Sequence, residues 1–233
     1  MQHPFTDLLA SAVERFAALT AEVDPTLPVP ACPDWAVVDL VEHLASVHSW
    51  ARHAILEGNP EAPLLDSTPA DLSLLPGWYR GHAEALLAVL RSTPDDAEAW
   101  TFGRGAGTAG WWQRRQTHET LLHTRDLLAA AGREDEWHVD PALAWDALDE
   151  VASMFYPRQV RLARCDMLTT ALRLVPTDLP AGLLAETGPV VIGDVEDAVE
   201  LTGTAGDLLL QVWKRLPCTD ERAAGVLAHA ITP

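Results

Sequence analysis

Apolar residues recur at three- and four-residue spacing in four long stretches of this chain, and proline or glycine closes each one. In the first, Leu8, Leu9, Val13, Phe16, Leu19 and Val23 share a face between Phe5 and Glu22, which predicts an amphipathic helix. Pro25, Pro28, Pro30 and Pro33 stop it. A second helix is expected to start at Asp34 or just after, where a side chain can cap it, and to run to about Glu57, with Gly58 to Pro63 closing it. A third runs from about Leu75 to Arg91 before the turn at Thr93 to Asp96, and a fourth from about Thr108 to Ala131. At 1.5 Å per residue the last of these spans roughly 35 Å. Four such helices with short, punctuated connections predict a four-helix bundle.

A fifth helical segment, about Pro141 to Phe155, opens on AspPro, a favoured start because proline tolerates the first helical position. The texture then changes. Thr169 to Pro176 and Asp197 to Gly203 alternate in the manner of strands, and a helix from about Ala205 to Leu216 follows. The fold class expected is α+β: a helical bundle over residues 1–160 and a small α+β domain over residues 161–233.

Charge restricts the partners. Sixteen Lys and Arg against thirty-four Asp and Glu leave a formal charge of −18, which repels phosphate backbones and anionic membranes, so neither nucleic acid nor a membrane is an expected partner. Cys32, Cys165 and Cys218 are too few and too scattered for a disulfide framework or a cysteine zinc site, and no basic, apolar leader or membrane-length apolar run is present. A reduced, cytoplasmic setting fits. The sequence does not fix the oligomeric state.

The chemistry concentrates in the fourth helix, where His118 to His123 spell HisGluThrLeuLeuHis. The zinc-protease motif needs two histidines four apart, but His118 and His123 are five apart, roughly 140° around a helix. Glu119 and His123 are the pair four apart and lie about 40° from one another, so a carboxylate oxygen and an imidazole nitrogen can converge on one cation. His43, on the apolar stripe of Leu40, Val47 and Trp50, is the natural third ligand; His48 and His53 fall on other faces and read as surface or rim residues. Alone, His43 reads first as a hydrogen-bonded core histidine. An interior Glu119 brings the metal reading level, because a buried carboxylate is costly unless neutralised.

Cys32 to Leu44 (CysProAspTrpAlaValValAspLeuValGluHisLeu) together with His118 to Leu127 (HisGluThrLeuLeuHisThrArgAspLeu) resembles the mycothiol-dependent maleylpyruvate isomerase family, within the wider DinB-like group of metal-binding four-helix bundles. The matching pattern is Trp35 with His43 eight residues on, then Glu119 and His123 four apart. Leu201 to Arg215 resembles the family's C-terminal signature. The resemblance implies a zinc or other divalent metal held by His43, Glu119 and His123, and mycothiol or a related low-molecular-weight thiol as cofactor or cosubstrate. It also implies an isomerase or S-transferase acting on a small-molecule electrophile. A His-Glu-His donor set by itself accepts several borderline metals.

Further residues carry expectations of their own. Arg215 matches a family arginine that can pair with a substrate carboxylate, and otherwise reads as a solvated helix end. Asp126 can orient the His123 ring, or more plainly partner Arg125 or Arg133. Of Arg114 and Arg115, one faces the cleft and the other the surface; Arg114 is taken with Trp112 as a thiol-pocket candidate, although tryptophans on bundle helices more often pack. Gly105, Gly107 and Gly110 spell a dinucleotide-binding fingerprint without its βαβ context, and a loop over the bundle mouth is the better reading. Two other classes remain open: a noncatalytic metal- or ligand-binding module, and a zinc hydrolase that activates water.

Overall fold

The computed structural model describes residues 3–61, 65–103 and 105–233; of the Gly58–Pro63 closure, Ala62 and Pro63 lie outside the described residues. The chain divides into two compact units, Gln2–Trp137 and His138–Pro233.

In the first unit the four expected helices form: α1 (Phe5–Glu22), α2 (Val37–Glu57), α3 (Leu75–Ser92) and α4 (Ala109–Ala130). Their ends follow from local chemistry. Asp39, not Asp34, caps α2, its carboxylate accepting the Ala36 N–H at 2.8 Å. The helix ends on Gly58, whose φ of +66° is a left-handed cap that other residues resist. Thr108 Oγ1 accepts the Trp111 N–H at the start of α4.

α1 and α2 each pack against both α3 and α4, so α1 lies diagonally from α2 and α3 diagonally from α4. Two crossovers span the diagonals. The proline-rich one is folded: Val29 N–H donates to the Trp35 carbonyl and Val37 N–H to the Leu27 carbonyl, which sets Trp35 just ahead of α2. Inside, Leu40, Leu44, Phe16, Tyr79, Leu86 and Leu127 are completely buried. A side chain of this size contributes about 1.5–3 kcal/mol on burial; the face read on α1 is the one that is buried, whereas on α2 Val47 and Trp50 of the expected stripe are only partly buried.

The second crossover carries Gly105 and Gly107, and Gly110 falls in the first turn of α4. Ala99 N–H donates to the Gly107 carbonyl, and a Cβ at Gly107 would sit 2.5 Å from the Ala99 carbonyl oxygen. Close backbone approach therefore explains this glycine, with no nucleotide fold around it. The loop leads into α4 at Ala109, ten residues or about 15 Å of helix from Glu119.

The second unit begins earlier than the expected boundary at residue 160. α5 (Pro141–Glu150) belongs to it and packs against α8 (Ala205–Val212). Helical periodicity shows that a segment has an apolar face but not which neighbour receives it. The predicted helix to Phe155 becomes a π-helical turn over Val151–Phe155, where the Tyr156 N–H reaches back to the Val151 carbonyl, and then α6 (Tyr156–Arg161). Pro157 has no N–H to continue the ordinary ladder, and the widened turn accommodates it.

Both expected strands form, as β1 (Ala171–Pro176) and β3 (Ala198–Gly203), paired in parallel with Leu172 beside Val199 and Leu174 beside Leu201. After α7 (Ala181–Thr187), the two-residue β2 (Val191–Ile192) adds antiparallel to the other edge of β1. α9 (Glu221–Leu227) packs on β1 and β3. The class is α+β. No helix of the described residues is long and apolar enough to cross a membrane.

Candidate metal centre

His43 from α2 and Glu119 and His123 from α4 meet within the first unit. Glu119 Oε1 lies 3.2 Å from His43 Nε2 and 3.3 Å from His123 Nε2, and the three potential ligand atoms fall within 4.8 Å of one another. Four donors placed tetrahedrally about 2.1 Å from a zinc ion are roughly 3.4 Å apart, so the two shortest separations already match such a site. The residues fit a divalent metal. His43 is a third exposed and Glu119 and His123 much less, so the cluster opens on the His43 side. The Trp35 ring lies 4.8 Å from the His43 ring and 6.5 Å from that of His123, and borders both ligands.

The supporting groups determine which atoms face the cluster. Asp126, fully buried, places Oδ2 2.9 Å from His123 Nδ1. An Nδ1–H donated to that carboxylate leaves Nε2 as the ligand atom. Arg133 pairs instead with Glu22 and Glu136. Burial works against a charged His123, but its hydrogen bonds to Asp126 and Glu119 prevail and push its pKa up to about 9 in the metal-free chain. Burial likewise opposes the Glu119 carboxylate, yet Arg115 and the two histidines hold it well below the usual range.

Arg115 is the inward arginine of the consecutive pair. Its side chain is buried and its Nη2 donates to Glu119 Oε2 one helical turn away. Arg114 is half-buried and about 140° around the helix from Glu119. The sequence offered one signal that picks out Arg115, its four-residue spacing from Glu119.

Trp112 does not line a thiol pocket. It is completely buried, its Nε1 donating to the Trp100 carbonyl at 2.6 Å, within a cluster that includes Trp50, Phe102 and Trp111. His118 faces the start of α1, its ring edge-on to Phe5. His53 lies against Asn59, at the rim as expected.

His48 departs from the sequence reading. Expected at the surface, it is fully buried, because α2 is covered by two helices and its buried face is wider than its apolar stripe. Desolvation lowers its pKa to about 4, and a hydrogen bond to Gln116 only partly offsets this. The neutral ring therefore donates Nδ1–H to Gln116 Oε1 at 2.7 Å and accepts from the Tyr79 hydroxyl at Nε2, 3.2 Å away.

Residues 7–128 match the family described as mycothiol maleylpyruvate isomerase N-terminal domain. The chain belongs to that family. The matched span contains all three candidate ligands, Trp35 and Asp126, and ends within α4. A crystal structure of a mycothiol-dependent maleylpyruvate isomerase resembles the chain with a TM-score of 0.61 at 14% identity, covering 89% of this chain and 86% of that one. The structure of a histidine-to-alanine variant of a mycothiol-dependent maleylpyruvate isomerase gives 0.60 at 12% identity over the same shares. At these identities the likeness is one of fold, and it extends well beyond the matched domain. No curated protein matches the chain by sequence.

In the second unit, Arg215 follows α8. Its Nη1 donates to the Trp213 carbonyl at 2.9 Å and its guanidinium lies 5.7 Å from the Trp213 ring centre. It lines a groove with Lys214, Cys218 and Ala224.

Proposed function

We propose that this protein is a metal- and thiol-dependent enzyme of the maleylpyruvate isomerase type. In this reading His43, Glu119 and His123 hold a zinc or similar divalent ion, and mycothiol or a related thiol is the cofactor or cosubstrate. The observation that carries this reading is one carboxylate oxygen 3.2 and 3.3 Å from two imidazole nitrogens, with all three donor atoms within 4.8 Å of one another, in a chain whose family is named for a mycothiol enzyme. When bound, such an ion supplies an open coordination position and lowers the pKa of a thiol placed there.

The chain's own residues provide the rest. Asp126 fixes the His123 tautomer, and the buried carboxylate gives the site a formal negative charge that favours a cation over water. Trp35 supplies an apolar wall beside both imidazoles. Arg215 is assigned to the substrate carboxylate, its guanidinium held in place by the Trp213 carbonyl and ring. The substrate class is a small electrophile with an activated double bond or a displaceable group. Reversible thiolate addition would make the isomerase reaction; retention of the thiol would make an S-transferase.

Purified protein analysed for metals is expected to hold about one divalent ion per chain, and His43→Ala to lose it. Maleylpyruvate or a related electrophile is then expected to turn over only with added mycothiol. Turnover without thiol would favour a hydrolase. Stoichiometric metal with neither activity would favour a binding module, and absence of metal would remove the proposal.

A further inference from the structure

The two oxygens of Glu119 are not equivalent. Oε1 faces both imidazole Nε2 atoms, at 3.2 and 3.3 Å, while Oε2 accepts from Arg115 Nη2. Arg115 and Glu119 lie one turn apart on α4, so the arrangement is built into a single rigid element and does not depend on a loop. The arginine is only 4% exposed, and burying a guanidinium is expensive unless its partner is fixed and close. Its partner is the carboxylate that also faces the two histidines.

From this division of oxygens we infer that Arg115 is a positioning residue that keeps Glu119 a one-oxygen ligand and thereby keeps a coordination position open for the thiol. The inference rests on the metal reading above. A carboxylate with both oxygens free can chelate a divalent ion, and the second oxygen then fills the place an incoming ligand needs. Arg115 engages that second oxygen with a charge-assisted hydrogen bond that a thiol need not displace. Its positive charge also offsets that of Glu119, so the ion's charge is left to attract an anionic fourth ligand.

The test uses the full chain loaded with Co²⁺, whose visible bands are intense in four-coordinate sites and several-fold weaker when a fifth donor binds. Wild type is expected to give the intense spectrum. Arg115→Met is expected to give the weaker one, while Arg115→Lys, which keeps a cationic donor, restores much of the intensity. Circular dichroism and thermal melts of the three confirm that folded proteins are compared. An Arg115→Met protein that folds and shows the wild-type band intensity overturns the inference, whatever happens to its affinity. If wild type itself binds no Co²⁺, or binds it equally after His43→Ala, the metal reading falls and takes this inference with it.

Discussion

Two buried side chains near the candidate metal cluster illustrate how single residues act on metal affinity and on stability. Asp126 is completely buried with its carboxylate on His123 Nδ1, so Asp126→Ala removes the acceptor that selects the Nε2 ligand. Metal affinity is expected to fall by about 10- to 100-fold with the helix intact, as read by competition with a chromophoric chelator. An unchanged affinity would reduce Asp126 to packing. His48 has a different consequence. Its ring stays neutral in the folded chain until about pH 4, whereas in the unfolded chain it takes up a proton below about 6.5. The unfolded state thus binds the extra proton between those values, and stability falls as pH drops through that window, by about 3 kcal/mol in all. His48→Leu forfeits the bonds to Gln116 and Tyr79, and is expected to be less stable at pH 7.5 by about 1–3 kcal/mol. That difference is expected to shrink by pH 4.5. Urea unfolding of both chains with a chelator present checks this; a constant difference would mean the ring does not titrate as described.

At the level of elements, α2 and α4 carry the whole cluster, and the rest of the bundle holds them in register. Gly107 shows how tightly one support is made, since Gly107→Ala would drive a Cβ into the Ala99 carbonyl and the Thr101 side chain. It is expected to cost about 1–3 kcal/mol and lower the melting temperature. Metal content should be unchanged, because the loop meets α4 about 15 Å from Glu119; loss of metal would link the loop to the cluster. The long helices were legible in the sequence because their apolar residues repeat at helical spacing and prolines mark their ends. The clustering of the three candidate ligands was legible from the four-residue spacing of Glu119 and His123 and the apolar stripe around His43. Elsewhere the signal was missing or ambiguous. The buried His48 sits off that stripe, the two-residue β2 is too short for any alternation, and the π turn depends on how one proline is absorbed. Arg114 and Arg115 differ only in direction around the helix, which the packing of α4 decides. The partner of α5 lies far along the chain in α8, where no local pattern points to it.

For the whole molecule, the formal charge of −18 contrasts with a candidate centre built to hold a cation and supported by Arg115. An anionic substrate approaches against the overall field and is captured only at short range, within a screening length of about 8 Å at physiological salt. Raising the ionic strength is therefore expected to leave kcat/KM for a carboxylate substrate unchanged or higher. A steep fall would reveal a basic funnel that the charge distribution does not suggest. Arg215→Ala is expected to raise KM for the same substrate more than it lowers kcat, if its role is to bind the carboxylate. The central claim, that His43, Glu119 and His123 hold a metal that takes a thiolate as its fourth ligand, is most directly tested by titrating the Co²⁺-loaded protein with mycothiol. A sulfur-to-cobalt charge-transfer band saturating at one thiol per chain is the predicted result; no such band at saturating thiol, on protein shown to hold its cobalt, would contradict it.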